Sequence, residues 1–220
     1  MKKVIRIWDL PLRVFHWLLA ITIISGIIFV KQSGSAMVWH AYCGYLALAL
    51  VLFRIIWGFI GSEHARFSSF VPSPSALFAY VRGNSFGGLG HNPLGALSVL
   101  ALLFSILLQA FTGLFADDEI AFQGPLSKYV SNDLVALLTS VHRFNRYFIY
   151  GLIGLHVLAI IYYQIKKKDL ITPMLTGDKK IDPAEQGQEI QMFESKDGLL
   201  QRVLGFTILF SLIVLIFISF

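Results

Sequence analysis

Five long apolar runs divide the chain: Val14–Val30, Ala36–Ile60, Pro93–Phe115, Leu134–Ile165 and Leu199–Phe220. Each approaches or exceeds the roughly 20 residues a helix needs to span hydrocarbon. The punctuation between them is that of helix ends. Pro11 suits the start of the first helix, Asn92 followed by Pro93 a cap and first position for the third, and "KQSGS" (31–35) a tight turn between antiparallel neighbours. "SPSALFAYVRG" (73–83) predicts a short interfacial helix within the polar loop 61–92, capped by Ser73. Segment 166–198 is polar and reads as solvated, with little apolar surface for a core. The expectation is an all-α integral membrane bundle: a four-helix core in residues 1–170, a cytoplasmic polar linker in 171–198, and a fifth, peripheral transmembrane helix in 199–220.

Composition agrees. Of the 220 residues 56% are hydrophobic and 14% charged, against about 25% charged in soluble domains. The net charge of +5 does not imply nucleic-acid binding, because its distribution follows topology. With the N-terminus inside, only Lys31, Lys128, Arg143 and Arg146 of the 18 basic residues fall outside. The positive-inside rule then predicts a cytoplasmic N-terminus and a periplasmic C-terminus in a bacterial inner membrane. The first run has no small-residue cleavage site and is not a removable signal. The single cysteine, Cys43, forbids an internal disulfide and reads as a buried small hydrophobe, and the lack of C-x-x-C-H excludes covalent c-type haem. "GNSFGGLG" (83–90) is not a dinucleotide fingerprint, since no strand precedes it.

Histidines supply the chemistry. His142 and His156 lie fourteen residues apart on the fourth helix, about 21 Å along its axis and close to the same face. His40, at the outer start of the second helix, is level with His142. His16, at the inner end of the first, is level with His156. Ionisable side chains inside a membrane are expensive and functional by default. Facing imidazoles at two depths suit two non-covalent b haems, each bis-His, with no open iron position and hence a preference for electron transfer over oxygen binding. Gly26, Gly44, Gly151 and Gly154 leave room between the same helices. A proton path, another metal site, or a haem-free transporter or scaffold are the competing readings. Zinc transport is disfavoured by the lack of carboxylates near the histidines.

Basic residues near these positions suit haem propionates: Arg143 and Arg146 outside, Arg13 and Arg54 inside. His91, before the third helix, suits an inner propionate or a quinone site, and His64 reads as a loop residue. Lys166–Lys168 read as a topological anchor that also attracts anionic lipid. Asp117, Asp118 and Glu119 form an acidic outer loop able to steer a basic periplasmic cytochrome c.

"RIWDLPLRVFHW", "FRIIWGFIGSEHARFSSFV", "HNPLGAL" and the paired histidines of the fourth helix resemble the bacterial cytochrome b561 family, which includes the b-type cytochrome subunits of nickel-iron hydrogenases. The likeness spans roughly residues 4–170. It implies four helices around two b haems, with ligands at His16, His40, His142 and His156, and electron transfer between the quinone pool and a redox partner. That partner is expected to be a cytochrome c or the catalytic subunit of a hydrogenase or dehydrogenase, in which case this chain is a membrane anchor. On either reading it is an electron-transfer component of an oxidoreductase, surrounded by lipid, and a homodimer is left open.

Overall fold

The computed structural model describes residues 3–32, 34–83, 90–120, 122–181 and 194–220. Most of the glycine-rich stretch 83–90 and residues 182–193 of the polar linker lie outside them. The five apolar runs are helices α1 (Leu10–Gln32), α2 (Ala36–Ile60), α5 (Pro93–Gly113), α6 (Asn132–Ile165) and α8 (Leu199–Ser219), each long and apolar enough to cross a membrane. Three short helices complete the set: α3 (Phe67–Phe70), α4 (Pro74–Val81) and α7 (Ile171–Thr176). Their caps follow the sequence. Ser73 Oγ accepts the Ala76 amide of α4 at 3.2 Å, and Asn92 Oδ1 accepts that of Gly95 in α5 at 2.7 Å. Helix α1 begins at Leu10, before the apolar run does, because Asp9 caps it: Oδ1 accepts the Leu12 amide at 2.8 Å. Helix α6 is about 51 Å long, well beyond the roughly 30 Å of hydrocarbon.

The chain forms two compact units, one from the described residues of 1–14, 54–100 and 155–207, the other from 15–53, 101–154 and 208–220.

The first unit is organised around the Asp9 carboxylate, which is fully buried. Besides capping α1, it accepts Trp57 Nε1–H at 3.0 Å and the Ser62 hydroxyl. The cation in its neighbourhood is Arg54, itself only 2% exposed, whose guanidinium lies 4.9 Å from the centre of the Phe67 ring and 5.7 Å from that of Phe70. A buried carboxylate is tolerable when several donors meet it. Helix α8 closes on the same spot: a Cβ on Gly205 would lie 2.6 Å from Pro11 and 3.1 Å from Trp57. The helix expected to be peripheral is thus fitted against α1 and α2 at this glycine.

The first unit also changes the expectation for segment 166–198. Among its described residues, α7 is followed by strand β2 (Asp178–Ile181), which pairs antiparallel with β1 (Lys3–Arg6) in the register Lys3↔Ile181 to Arg6↔Asp178. Ile5 and Ile181 are buried there. Composition suggests a solvated segment because each strand has only four residues, too few for alternation to stand out. Gly177 makes the turn at φ +92°, and its carbonyl accepts the amides of Ile7 and Trp8. Arg6 then bridges two carboxylates, with Nε 2.6 Å from Asp178 and Nη1 2.5 Å from Asp197, while Arg202 holds Asp197 from α8 at 3.0 Å.

In the second unit, Tyr45, Leu48 and Ala49 of α2, Ala110 of α5, Leu114 just beyond it and Ile216 of α8 form one buried cluster. The end of α8 stacks on α2, Phe217 against Tyr42 at 6.0 Å and Phe220 against Tyr45 at 5.5 Å. The loop after α5 folds back, with the Gly124 amide on the Ala116 carbonyl and the Leu126 amide on that of Leu114.

Asp9→Ala removes the cap and leaves the Trp57 Nε1–H and the Ser62 hydroxyl buried without their acceptor. A loss of about 1–3 kcal/mol is expected, seen as a fall in thermal midpoint in detergent, with Asp9→Asn intermediate. The strand pair titrates differently. The Arg6 guanidinium holds the Asp178 carboxyl below the usual range. Burial works to raise Asp197, but bonds from Arg202, the Leu10 amide and Arg6 outweigh it and lower it as well. Depressed carboxyl values stabilise the fold above the unfolded value near 4 and cease to do so as pH falls through the folded value. Amide-exchange protection at 178–181, relative to the intrinsic rate at each pH, should therefore be high at neutral pH and fall below about pH 4. Arg6→Met should make it low at both.

Candidate haem site

The second unit contains a cavity of about 280 Å³ between α1, α2, α5 and α6, at the lower end of the size of ligand sites. His40 and His142 both line it, with ring centroids 6.3 Å apart and ring planes at 88°. Each ring is tethered by one nitrogen. His40 Nδ1 lies 2.9 Å from the Gly26 carbonyl oxygen of α1, and His142 Nδ1 lies 2.9 Å from that of Gln109 in α5. A carbonyl accepts only, so both Nδ1 atoms carry the proton and both Nε2 lone pairs are left for another group. Metal-ligating histidines are oriented in this way.

The residues present fit a haem. Two metal–nitrogen bonds of about 2 Å, laid end to end with an imidazole radius at each end, come to about the centroid separation observed. Among the described residues no group of three or more His, Cys, Asp or Glu could hold a bare ion. Two imidazoles alone make a poor metal site, whereas a porphyrin supplies the four remaining nitrogens. Room comes from absent side chains: Gly26 and Gly44 line the cavity, and a Cβ on Gly113 would lie 3.0 Å from His142 Cε1. Arg143 and Arg146 also line it, as carboxylate partners require, with Arg146 donating to the Tyr147 hydroxyl at 2.8 Å.

The other predicted residues are placed as follows. His16 belongs to the second unit and packs edge-on to Trp17 at 5.1 Å, whereas His156 belongs to the first and is half-buried on α6. Gly151 and Gly154 have open space where a Cβ would be. Arg13 Nη1 donates to the Leu175 carbonyl at 2.5 Å, at the C-terminal end of α7, where a cation meets the helix dipole. Arg54 sits in the wall with Asp9, as described above. His91 lies between the Trp8 ring at 4.8 Å and the Phe70 ring at 4.7 Å, and His64 meets Trp8 edge-on at 6.4 Å. Cys43 is a half-buried free thiol lining the cavity.

The acidic loop is structural in large part. Asp117 accepts the Glu119 amide at 2.7 Å and the Gln123 carboxamide at 3.1 Å, and Asp118 accepts the amides of Ile120 and Phe122. Glu119, at φ +61°, is the exposed carboxylate at the loop tip.

Sequence reasoning passed over Gln109, Thr112, Gly113 and Asn145. Gln109 and Asn145 carried a usable signal, since each is a carboxamide within an apolar span, where polar groups are costly.

A model of prokaryotic cytochrome b561 matches residues 7–177, well over half of the chain. No curated protein and no solved structure matches it. The protein belongs to the prokaryotic cytochrome b561 family: multi-pass helical bundles of the inner membrane that bind b-type haem and transfer electrons.

Proposed function

We propose that the chain carries electrons through the membrane by two bis-His b haems, one held by His40 and His142 and the other by His16 and His156. The observation carrying the first site is the facing pair of imidazoles with both Nδ1 atoms tethered to main-chain carbonyls. The second rests on the helical register read from the sequence. When bound, each haem supplies a one-electron carrier. The protein provides the nitrogens, keeps both axial positions filled and excludes competing ligands. Arg143 and Arg146 meet the propionates of the outer haem, neutralising charge that hydrocarbon would not tolerate.

The excess of basic residues on one side supports a cytoplasmic N-terminus and, after five spans, a periplasmic C-terminus. With that orientation the His40–His142 site lies toward the periplasm. The reaction we infer is transfer between the quinone pool and a protein partner, with Glu119 available to a basic cytochrome c. An electron crossing the membrane works with or against its potential, at about 2.3 kcal/mol per 100 mV.

Haem counting by pyridine haemochromogen on protein purified in mild detergent should give two b haems per chain. His142→Ala should reduce the count to one, as should His156→Ala, and the two variants should lose different α-band components. A wild-type count of one, or equal loss of both components from either folded variant, rejects the two-site assignment. A dehydrogenase or hydrogenase subunit retained through purification selects the membrane-anchor role over a cytochrome c-linked one.

A further inference from the structure

Helix α5 brings no histidine to the cavity, yet it is hydrogen-bonded to α6 at the level of His142. Gln109 makes three of these bonds. Its backbone carbonyl faces His142 Nδ1 at 2.9 Å, its Nε2 donates to the His142 carbonyl oxygen at 3.1 Å, and its Oε1 accepts Asn145 Nδ2–H at 2.8 Å. Asn145, one turn beyond His142 and 6% exposed, donates again to the Ser105 carbonyl at 2.8 Å. Thr112 Oγ1 lies 3.3 Å from His142 Nδ1, and Gly113 leaves only the space the ring needs. Unmatched amides in hydrocarbon cost several kcal/mol each. Two carboxamides satisfied by one another, beside a ring whose plane stands at 88° to its partner, amount to more than helix packing requires.

We propose that Gln109 and Asn145 are positioning residues for the outer haem: they hold the His142 backbone against α5, fix its Nδ1–H tautomer on the Gln109 carbonyl, and so keep the two axial imidazole planes near perpendicular. The proposal rests on the reading that His40 and His142 are the ligands. The angle between axial imidazole planes governs the splitting of the iron d orbitals. Perpendicular planes give a low-spin ferric signal of large g anisotropy, and parallel planes a more rhombic one. The hydrogen bond on Nδ1 sets ligand basicity and with it the potential.

The test uses full-length holoprotein in detergent, with EPR of the oxidised state and a redox titration of the α band. In the wild type the outer haem should give the highly anisotropic signal, identified by its loss in His142→Ala. Gln109→Met keeps the side-chain volume and removes both carboxamide bonds. It should retain two haems per chain, move that one signal toward lower g, and shift one of the two redox waves while the other stays. Gly113→Ala leaves the carboxamides in place but sets a methyl 3.0 Å from the ring. It should move the same signal, and it decides the matter if Gln109→Met does not accumulate. Unchanged signal and waves in either variant at full haem content overturn the clamp alone. So does partial haem loss in which the retained haem is spectroscopically wild type. A wild type lacking a haem sensitive to His142→Ala overturns the ligand assignment itself.

Discussion

An imidazole in hydrocarbon has no water to complete its hydrogen bonds, so its second nitrogen must be met by the protein. The backbone of a helix is normally closed to such a request, because its carbonyls already accept from four residues on. At Gly26 and Gln109 the carbonyl oxygen accepts a side chain as well. Carbonyls have two lone pairs, so each can accept the imidazole as well as its own helical partner. Once both Nδ1 atoms are fixed, the other nitrogen of each ring is committed in direction. The glycines, the flanking arginines and the carboxamides of α5 and α6 lie around the same two rings.

The remaining polar chemistry obeys the same rule at another place. Asp9 and Arg54 are buried charges of opposite sign, separated in sequence by most of two helices. They are tolerable because Trp57, Ser62 and the first turn of α1 satisfy the carboxylate while two phenylalanine rings face the guanidinium. Arg54 lies beside the wall that seats α1, and Arg13 donates from Nη1 to the end of α7. Positive-inside statistics and local electrostatics place these arginines in the same part of the chain for different reasons. Only the coordinates separate the two.

What could be read from residues alone was whatever is periodic or locally encoded. The spans were legible because hydrocarbon thickness fixes their length, and the ends of α4 and α5 because Ser73 and Asn92 act within three residues. The level match of His40 with His142 followed from helical rise and the alternation of direction. Less local features were hidden. The β1–β2 pair depends on partners some 175 positions away, and Gln109 meets Asn145 across two helices. Neither leaves a spacing motif. The contacts of the fifth helix are scattered along it, at Arg202, Gly205, Ile216 and the aromatic residues at its end, and leave no spacing motif.

Arg6 has consequences for how the molecule is made. Its partners Asp178 and Asp197 lie 172 and 191 residues downstream. At a synthesis rate of about 5–20 residues per second, the ribosome needs roughly 9–34 s to deliver even the first of them. Through that interval the N-terminal strand waits without its mate while four spans are already inserted. The ion pairs can therefore form only late, and only in a chain whose fourth span ends on the face from which its first begins. A chain inverted at one of those turns would leave Arg6 without its carboxylates and Ile5 uncovered.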